Sequence, residues 1–244
     1  MKIEVSEKRW SLSEIRNKFR RRTGYYKRLY KKQYPDIKDV VYIRMPKTGS
    51  SSLVEELGKH GLLYLNNEQS IRFYFPQSGF VSFGPLSYES ILNKGLISDA
   101  FHSRAYFFTT VRNPFARTVS AYCYYKRRNW LDDNTSFDAF TEGIKTITFN
   151  KVDPVYNTFK GHLIPQNMFL YCNGKRFVNH LIRLESFDTD IKSLELLMDV
   201  SISLPHLNKS VFDDYRNYYS PRSISNVLSV YEKDFELLGY SEEL

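Results

Sequence analysis

The 244-residue chain has only two cysteines, Cys123 and Cys172. That is too few for a disulfide framework, and neither sits in a Cys-x-x-Cys or Cys/His pattern, so buried free thiols are expected. No cluster of His, Cys, Asp and Glu has metal-ligand spacing, and no metal is expected. There is no run of about twenty apolar residues and no signal-peptide pattern, so the expectation is a chain that neither spans a membrane nor carries an export address. Internal repeats and low-complexity linkers are missing. So is the nucleoside-triphosphate loop Gly-x-x-x-x-Gly-Lys-Ser/Thr. What remains is 42% hydrophobic, with 18 Phe and 19 Tyr, enough for a single α/β domain with a substantial core.

Excess charge is absent from most of the chain too. The first 38 residues hold 13 of the 35 Lys and Arg and 4 of the 27 Asp and Glu, so this arm carries +9 and the rest carries −1. The chain therefore divides into a basic arm, 1–38, and one domain, 39–244. Leu12, Ile15 and Phe19 share one helical face, and Tyr25, Tyr26, Leu29 and Tyr30 follow Gly24. Three uses fit: a helix docked on the domain by its apolar stripe, a membrane-surface anchor, and a cradle for an anionic polysaccharide. Docking is the expectation, with Arg20-Arg21-Arg22 and Lys27-Arg28 as an outward basic strip. A basic arm alone does not make a nucleic-acid binder.

Two segments point to chemistry. Val40-Val41-Tyr42-Ile43 has the apolar, β-branched character of a buried parallel strand, and helix spacing runs from Ser51 to Leu57 before fading near Gly58 and Gly61. Between them lies Pro46-Lys47-Thr48-Gly49-Ser50-Ser51-Ser52. Gly49 allows close approach of the main chain to an anion, the first helical turn offers unpaired N–H groups, the hydroxyls add donors, and Lys47 adds charge. Taken alone, Pro-Lys-x-Gly also fits an ordinary strand-to-helix turn.

The second segment repeats the design. Ala105 to Val111 reads as another central strand, and Asn113-Pro114 is a helix start. Arg112 sits at the strand's carboxyl end with a guanidinium suited to paired bonds with phosphate. Ser120 falls about two turns into the helix, so both reach one phosphate only if it rests against that helix. Two anion sites on one sheet suggest a doubly phosphorylated nucleotide.

At these residues the chain closely resembles the carbohydrate-type sulfotransferases that use 3′-phosphoadenosine 5′-phosphosulfate, a branch with chondroitin and related Golgi enzymes and many bacterial relatives. Pro46 to Ser51 looks like the family's 5′-phosphosulfate loop, and Val111 to Tyr122 like its 3′-phosphate segment. His162-Leu163-Ile164-Pro165-Gln166, Leu181 to Phe187, Leu204-Pro205-His206-Leu207-Asn208-Lys209-Ser210 and Val230 to Tyr240 resemble further family stretches. The resemblance implies a P-loop-like, three-layer α/β domain with a central parallel sheet and helices on both faces. It also implies a donor site from Lys47, Thr48, Gly49, Ser50, Ser51, Ser52, Arg112, Ser120 and Asn208, a glycan acceptor, and no metal. Golgi members carry an amino-terminal anchor. A soluble, cytoplasmic, bacterial-type enzyme is expected here, the alternative being a trimmed catalytic domain.

Strands near Val40, Tyr106 and Leu181 are expected to be parallel and central, with helices over Ser87–Leu92, Phe137–Ile144, Thr189–Met198 and Ser223–Leu238 and a tight turn at Asn173-Gly174. Sulfuryl transfer, by analogy with phosphoryl transfer, needs in-line positioning and neutralisation of charge on the leaving group, the role assigned to Lys47. A base must take the acceptor's proton. Relatives often place a histidine after a glycine between the two phosphate motifs, but here Gly84 is followed by Pro85. The candidates are Glu89, His102 and His162, with His102 the least favoured because it precedes the strand leading to Arg112. His60 and His180 read as structural, and His206 as shaping the loop of Asn208. A small-molecule kinase, a non-catalytic nucleotide-binding relative, and peptide-tyrosine or lipid acceptors are the alternatives.

Overall fold

The computed structural model describes residues 11–149, 158–204 and 214–244. Strand β1 (Val40–Ile43) is buried along its whole length, and its alternate side chains serve two different cores, as the strand period of two requires. Val40 and Tyr42 pack with Leu53 and Leu57 of α3 (Ser50–Lys59) and with Phe108, Phe187 and Leu194. Val41 and Ile43 belong to the opposite face, with Ile71, Phe75, Ile91, Phe101 and Phe107. Helices α4 (Glu68–Tyr74), α5 (Tyr88–Asn93) and α6 (Asp99–Arg104) supply that face, while α9 (Phe187–Asp190) and α10 (Lys192–Met198) join α3 on the other.

The result is the three-layer α/β domain expected from the sequence. Five parallel strands run in the order β2 (Leu63–Tyr64), β3 (Phe80–Ser82), β1, β4 (Tyr106–Val111), β7 (His180–Arg183). The chain leaves β1 toward β2 on one side and leaves β4 toward β7 on the other. The crevice between the carboxyl ends of β1 and β4 is therefore the topological switch point, where open α/β sheets place their ligands. The strand near Leu181 is not central. It is β7, an edge strand, and only Ile182 of its four residues is fully buried. Strands β5 (Tyr171–Cys172) and β6 (Lys175–Arg176) form a separate hairpin, turned by Asn173 and Gly174 with φ of 48° and 74°.

A third core fixes the helix after β4. Helix α7 (Pro114–Arg127) packs Phe115, Val119 and Tyr125 against Phe137, Phe140 and Ile144 of α8 (Phe137–Lys145) and against Val227, Tyr231 and Phe235 of α11 (Pro221–Leu238). Asn113 caps α7, its side chain accepting from Phe115 N and Ala116 N, with Pro114 in the first turn. Among the described residues no helix is long and apolar enough to cross a membrane.

The arm folds as α1 (Leu12–Arg22) and α2 (Tyr25–Gln33). It docks, but not by the stripe expected. The Tyr30 hydroxyl donates toward Gly61 O and Phe80 O at 3.0 and 3.1 Å and accepts from Phe80 N at 3.1 Å. The Tyr26 ring meets Tyr74 edge-on at 5.0 Å. Leu12, Ile15 and Phe19 are left exposed, while Tyr30 satisfies polar main-chain groups at the amino ends of the strands that an aliphatic side chain would leave unpaired. Tyr30→Phe strands those groups, so it should lower the melting temperature by about 2–6 °C in thermal unfolding. An unchanged melting temperature would mean that the arm is anchored elsewhere.

Candidate active site

The loop after β1 is built to leave amide donors open. Gly49 is the N-cap of α3, with φ 75° and no capping side chain, so the first-turn N–H groups have no side-chain cap. Lys47 is also left-handed, with φ 68°, a conformation that costs a non-glycine residue on the order of 1 kcal/mol or more. Left-handed residues at both positions give the loop the backbone form of an anion-binding concavity. A Cβ on Gly49 would be strained by its φ and would lie 2.9 Å from Leu184 Cδ1, which ties the glycine to this turn.

The loop's hydroxyls divide. Thr48 is fully buried. Its Oγ1 donates to Met45 O at 3.1 Å and meets Thr110 Oγ1 at 2.9 Å, which meets the Tyr42 hydroxyl at 2.8 Å. The Thr48 side chain is thus committed to the sheet, and the ligand contact expected of it reduces to its main-chain N–H. Ser52 is buried as well. Ser50 and Ser51 accept from Arg44, whose Nε and Nη2 lie 3.3 and 3.0 Å from their Oγ atoms, while Nη1 bonds the Tyr64 hydroxyl. Arg44 was not foreseen; the only signal for it was a cation directly before the loop.

One side of α7 faces this loop. Arg117, Ser120, Tyr124 and Arg127 are spaced to share a helix face, and the Lys47 ammonium lies 4.0 Å over the Tyr124 ring. Arg127, Arg112 and Arg117 surround Lys47, and burial together with these three like charges lowers its pKa from 10.5 to about 7. The structure thus brings Lys47 and Arg112 to one crevice, and helical spacing puts Ser120 on the side of α7 that carries Tyr124. Asn208 and His206 lie outside the described residues.

Two hidden side chains hold the geometry. The Arg117 guanidinium donates to Pro46 O at 3.1 Å and to His162 O and Ile164 O at 3.1 and 2.9 Å. Gln166 pairs with both main-chain groups of Arg112, accepting from its N–H at 2.9 Å and donating to its carbonyl at 2.8 Å. Asp234 on α11 fixes that glutamine, accepting from Gln166 N and Asn167 N at 2.7 Å each. In the matched His-x-x-Pro-Gln stretch, then, Gln166 orients the end of β4.

The three candidate bases fall in different surroundings. The His162 ring stacks on Trp130 at 5.7 Å and Tyr125 at 5.9 Å and meets Tyr124 edge-on. Its Nδ1 is buried with no hydrogen-bond partner among the described residues, and burial with Lys47 and Arg117 nearby drops its pKa to about 4. Glu89 lines a cleft beyond β1 and β3 with Arg44, Gly84, Ser87 and Tyr171, and its Oε1 accepts from Asn173 N at 2.7 Å. The cleft encloses about 40 Å³, room for a few waters and not for a sugar ring. A larger molecule would lie across its mouth, beside the exposed Met168 and Tyr171. His102 does not reach the crevice. Its Nδ1 meets the Tyr88 hydroxyl at 3.1 Å and its ring packs on Phe107, about 16 Å of strand before Arg112. Among the described residues no group of His, Cys, Asp and Glu is arranged to hold a metal ion.

Comparison with known proteins gives this geometry a family. No curated protein matches the chain. Among solved structures, the crystal structure of a sulfotransferase from Alicyclobacillus acidocaldarius aligns at 16% identity and a TM-score of 0.48, covering 82% of this chain and 96% of that one. A family model described as the sulfotransferase family matches residues 34–241. That match takes in both candidate anion-site segments and the stretch holding Gln166 and Asp234, and on it the chain belongs to the sulfotransferase family.

Proposed function

We propose that the chain moves a sulfuryl group from 3′-phosphoadenosine 5′-phosphosulfate to a hydroxyl of a glycan. The observation that carries this reading is the meeting of Lys47, Arg112, Arg117 and Arg127 at the switch point, beside a helix start with no side-chain cap. Such a site suits a ligand with two phosphate groups, the 5′ end at the loop of Lys47 to Ser51 and the 3′-phosphate near Arg112 and Ser120. The acceptor oxygen attacks sulfur, the bond from sulfur to the bridging oxygen breaks, and the charge that builds on that oxygen is met by the Lys47 ammonium. The leaving product is adenosine 3′,5′-bisphosphate.

Glu89 is the base in this proposal. It is exposed on the cleft that borders the loop through Arg44, whereas the His162 ring is buried between Tyr124, Tyr125 and Trp130, where an acceptor hydroxyl has less access. The unpartnered Nδ1 of His162 favours a second reading, in which His162 takes the proton once a bound anion raises its pKa. The mixed lining of the cleft mouth, with Tyr171 and Met168 beside Glu89, Ser87 and Arg44, supports a sugar, which offers apolar faces and many hydroxyls. Incubation with radiolabelled donor and a panel of polysaccharides, tyrosine peptides and glycolipids tests the acceptor class, with label expected only in glycan-bearing acceptors.

Adenosine 3′,5′-bisphosphate at about a hundred times its dissociation constant should stabilise the protein by about 2.7 kcal/mol, a rise of roughly 5–10 °C at this chain length. ATP with magnesium should do much less, and equal shifts would point to a kinase-like site.

Lys47 makes a further prediction. Only its protonated form attracts the donor, and in the free protein it loses that proton near pH 7, so affinity for the bisphosphate should fall as pH rises from 7 to 9. Lys47→Met should flatten this dependence and cut turnover by about 10²–10³. Lys47→Met should also stabilise the free protein. An unfolded lysine holds its proton to about 10.5, so the penalty for the buried charge is full below pH 7 and fades as pH climbs toward 10.5. The melting temperature of the variant should therefore exceed that of the parent by a few degrees at pH 6–7, a gain of about 1 kcal/mol or more.

For the base, Glu89→Gln should lower kcat by about 10²–10⁴ and remove one limb of its pH profile. Loss of that limb in His162→Gln, with Glu89→Gln near the parent, would transfer the role to His162.

A further inference from the structure

The arm turns its apolar residues to solvent. At about 100° per residue, Leu12, Ile15 and Phe19 of α1 fall within an arc of about 60°, and they are 87, 53 and 68% exposed. Arg21 points to the other side of the helix, where its Nε donates to the Tyr74 hydroxyl at 3.1 Å and its guanidinium lies over the Phe73 and Tyr74 rings. The helix is thus held to the domain by its polar side. Helical spacing places Arg16 and Arg20 along one border of the stripe and Lys18 and Arg22 along the other. Tyr25 and Leu29 on α2, 39 and 46% exposed, extend the pattern, and the Arg20 guanidinium lies 5.0 Å over the Tyr25 ring.

We infer that this outer face is a docking surface for an anionic lipid bilayer. Large apolar side chains between arginines and lysines are what an interfacial helix needs: the stripe enters the headgroup region while the flanking cations reach lipid phosphates along their flexible stems. Charge selects this occupant. A second copy would bring one +9 arm against another, and an anionic polysaccharide would engage the cations while leaving Leu12, Ile15 and Phe19 in water. The arm docks at the amino ends of the strands, with Tyr30 at Gly61 and Phe80, whereas Lys47 follows the carboxyl end of β1. A bilayer on this face leaves the crevice open on the far side. The inference stands independently of which group the crevice transfers.

Co-sedimentation of the full chain with phosphatidylcholine vesicles, with and without about 30% phosphatidylglycerol, tests it. Binding should be at least about tenfold stronger to the anionic vesicles and should weaken on going from ~0.1 to ~0.5 M salt. Leu12→Ser with Phe19→Ser, and separately Arg16→Gln with Arg20→Gln and Arg22→Gln, should each cut binding by about tenfold or more at an unchanged melting temperature. Neither set touches Arg21. Equal affinity for both vesicle types, or no binding, overturns the inference. Loss of binding in the charge variant with full binding in the apolar one would make the face a polyanion strip. A dimer in solution that disappears in the apolar variant would assign the stripe to a second copy and equally overturn it.

Discussion

The Arg117 guanidinium, buried on α7, donates to the carbonyls of Pro46, His162 and Ile164, and so joins three stretches of chain that are far apart in sequence. A buried guanidinium is costly unless its donors are satisfied, and one left half-bonded costs more than none. Here carbonyl dipoles take up the donors, and the buried Asp234 on α11 adds an attractive charge, while its own carboxyl is pushed up by burial against the pull of Arg117. The loop carrying Lys47, the helix carrying Ser120 and the turn carrying His162 are thus one rigid piece. With Gln166 holding both main-chain groups of Arg112, the crevice is pre-organised before any ligand arrives.

Pre-organisation has an electrostatic cost. Lys47, Arg112, Arg117 and Arg127 repel one another in a half-buried site, and the lowered pKa values of Lys47 and Arg112, due first to burial, express that strain. Glu185 relieves part of it: its carboxylate attracts Arg112 and accepts from Asn113 N and from the Tyr240 hydroxyl. A cluster of cations only partly compensated makes sense where further negative charge comes with the ligand, and the left-handed backbone of Lys47 is a second strain at the same point.

The parts of the fold that repeat a pattern over many residues were legible in the sequence. Strands β1 and β4 announce themselves by continuous apolar, aromatic runs, and α11 by Ser220-Pro221 and its helical spacing. Strands β2 and β3, at two and three residues, are too short to carry a period, and with them the side of the sheet on which β7 ends was hidden. In the site, Lys47, Gly49 and Arg112 could be named because each sits at a strand end followed by a helix start. Arg44 offered only a cation directly before the loop, and Arg117 could not be named, since its role depends on contacts with distant carbonyls that no local spacing encodes. Thr48 misled for the same reason: a hydroxyl in a phosphate-like loop reads as a ligand donor, and only the packing against Thr110 and Tyr42 shows it turned inward. In the arm, the apolar stripe was visible but its direction was not, because Arg21 and Tyr30 decide which side meets the domain.

The central claim is that the loop after β1 and the helix after β4 form one site for a doubly phosphorylated nucleotide. A crystal structure of the protein soaked with adenosine 3′,5′-bisphosphate tests it most directly. The account predicts the 5′-phosphate on the main-chain amides of residues 48–51 within hydrogen-bond reach of Lys47, and the 3′-phosphate held by Arg112 and Ser120. A nucleotide bound with its two phosphates away from either segment, or density at the loop of Lys47 alone with Arg112 and Ser120 untouched, would contradict it.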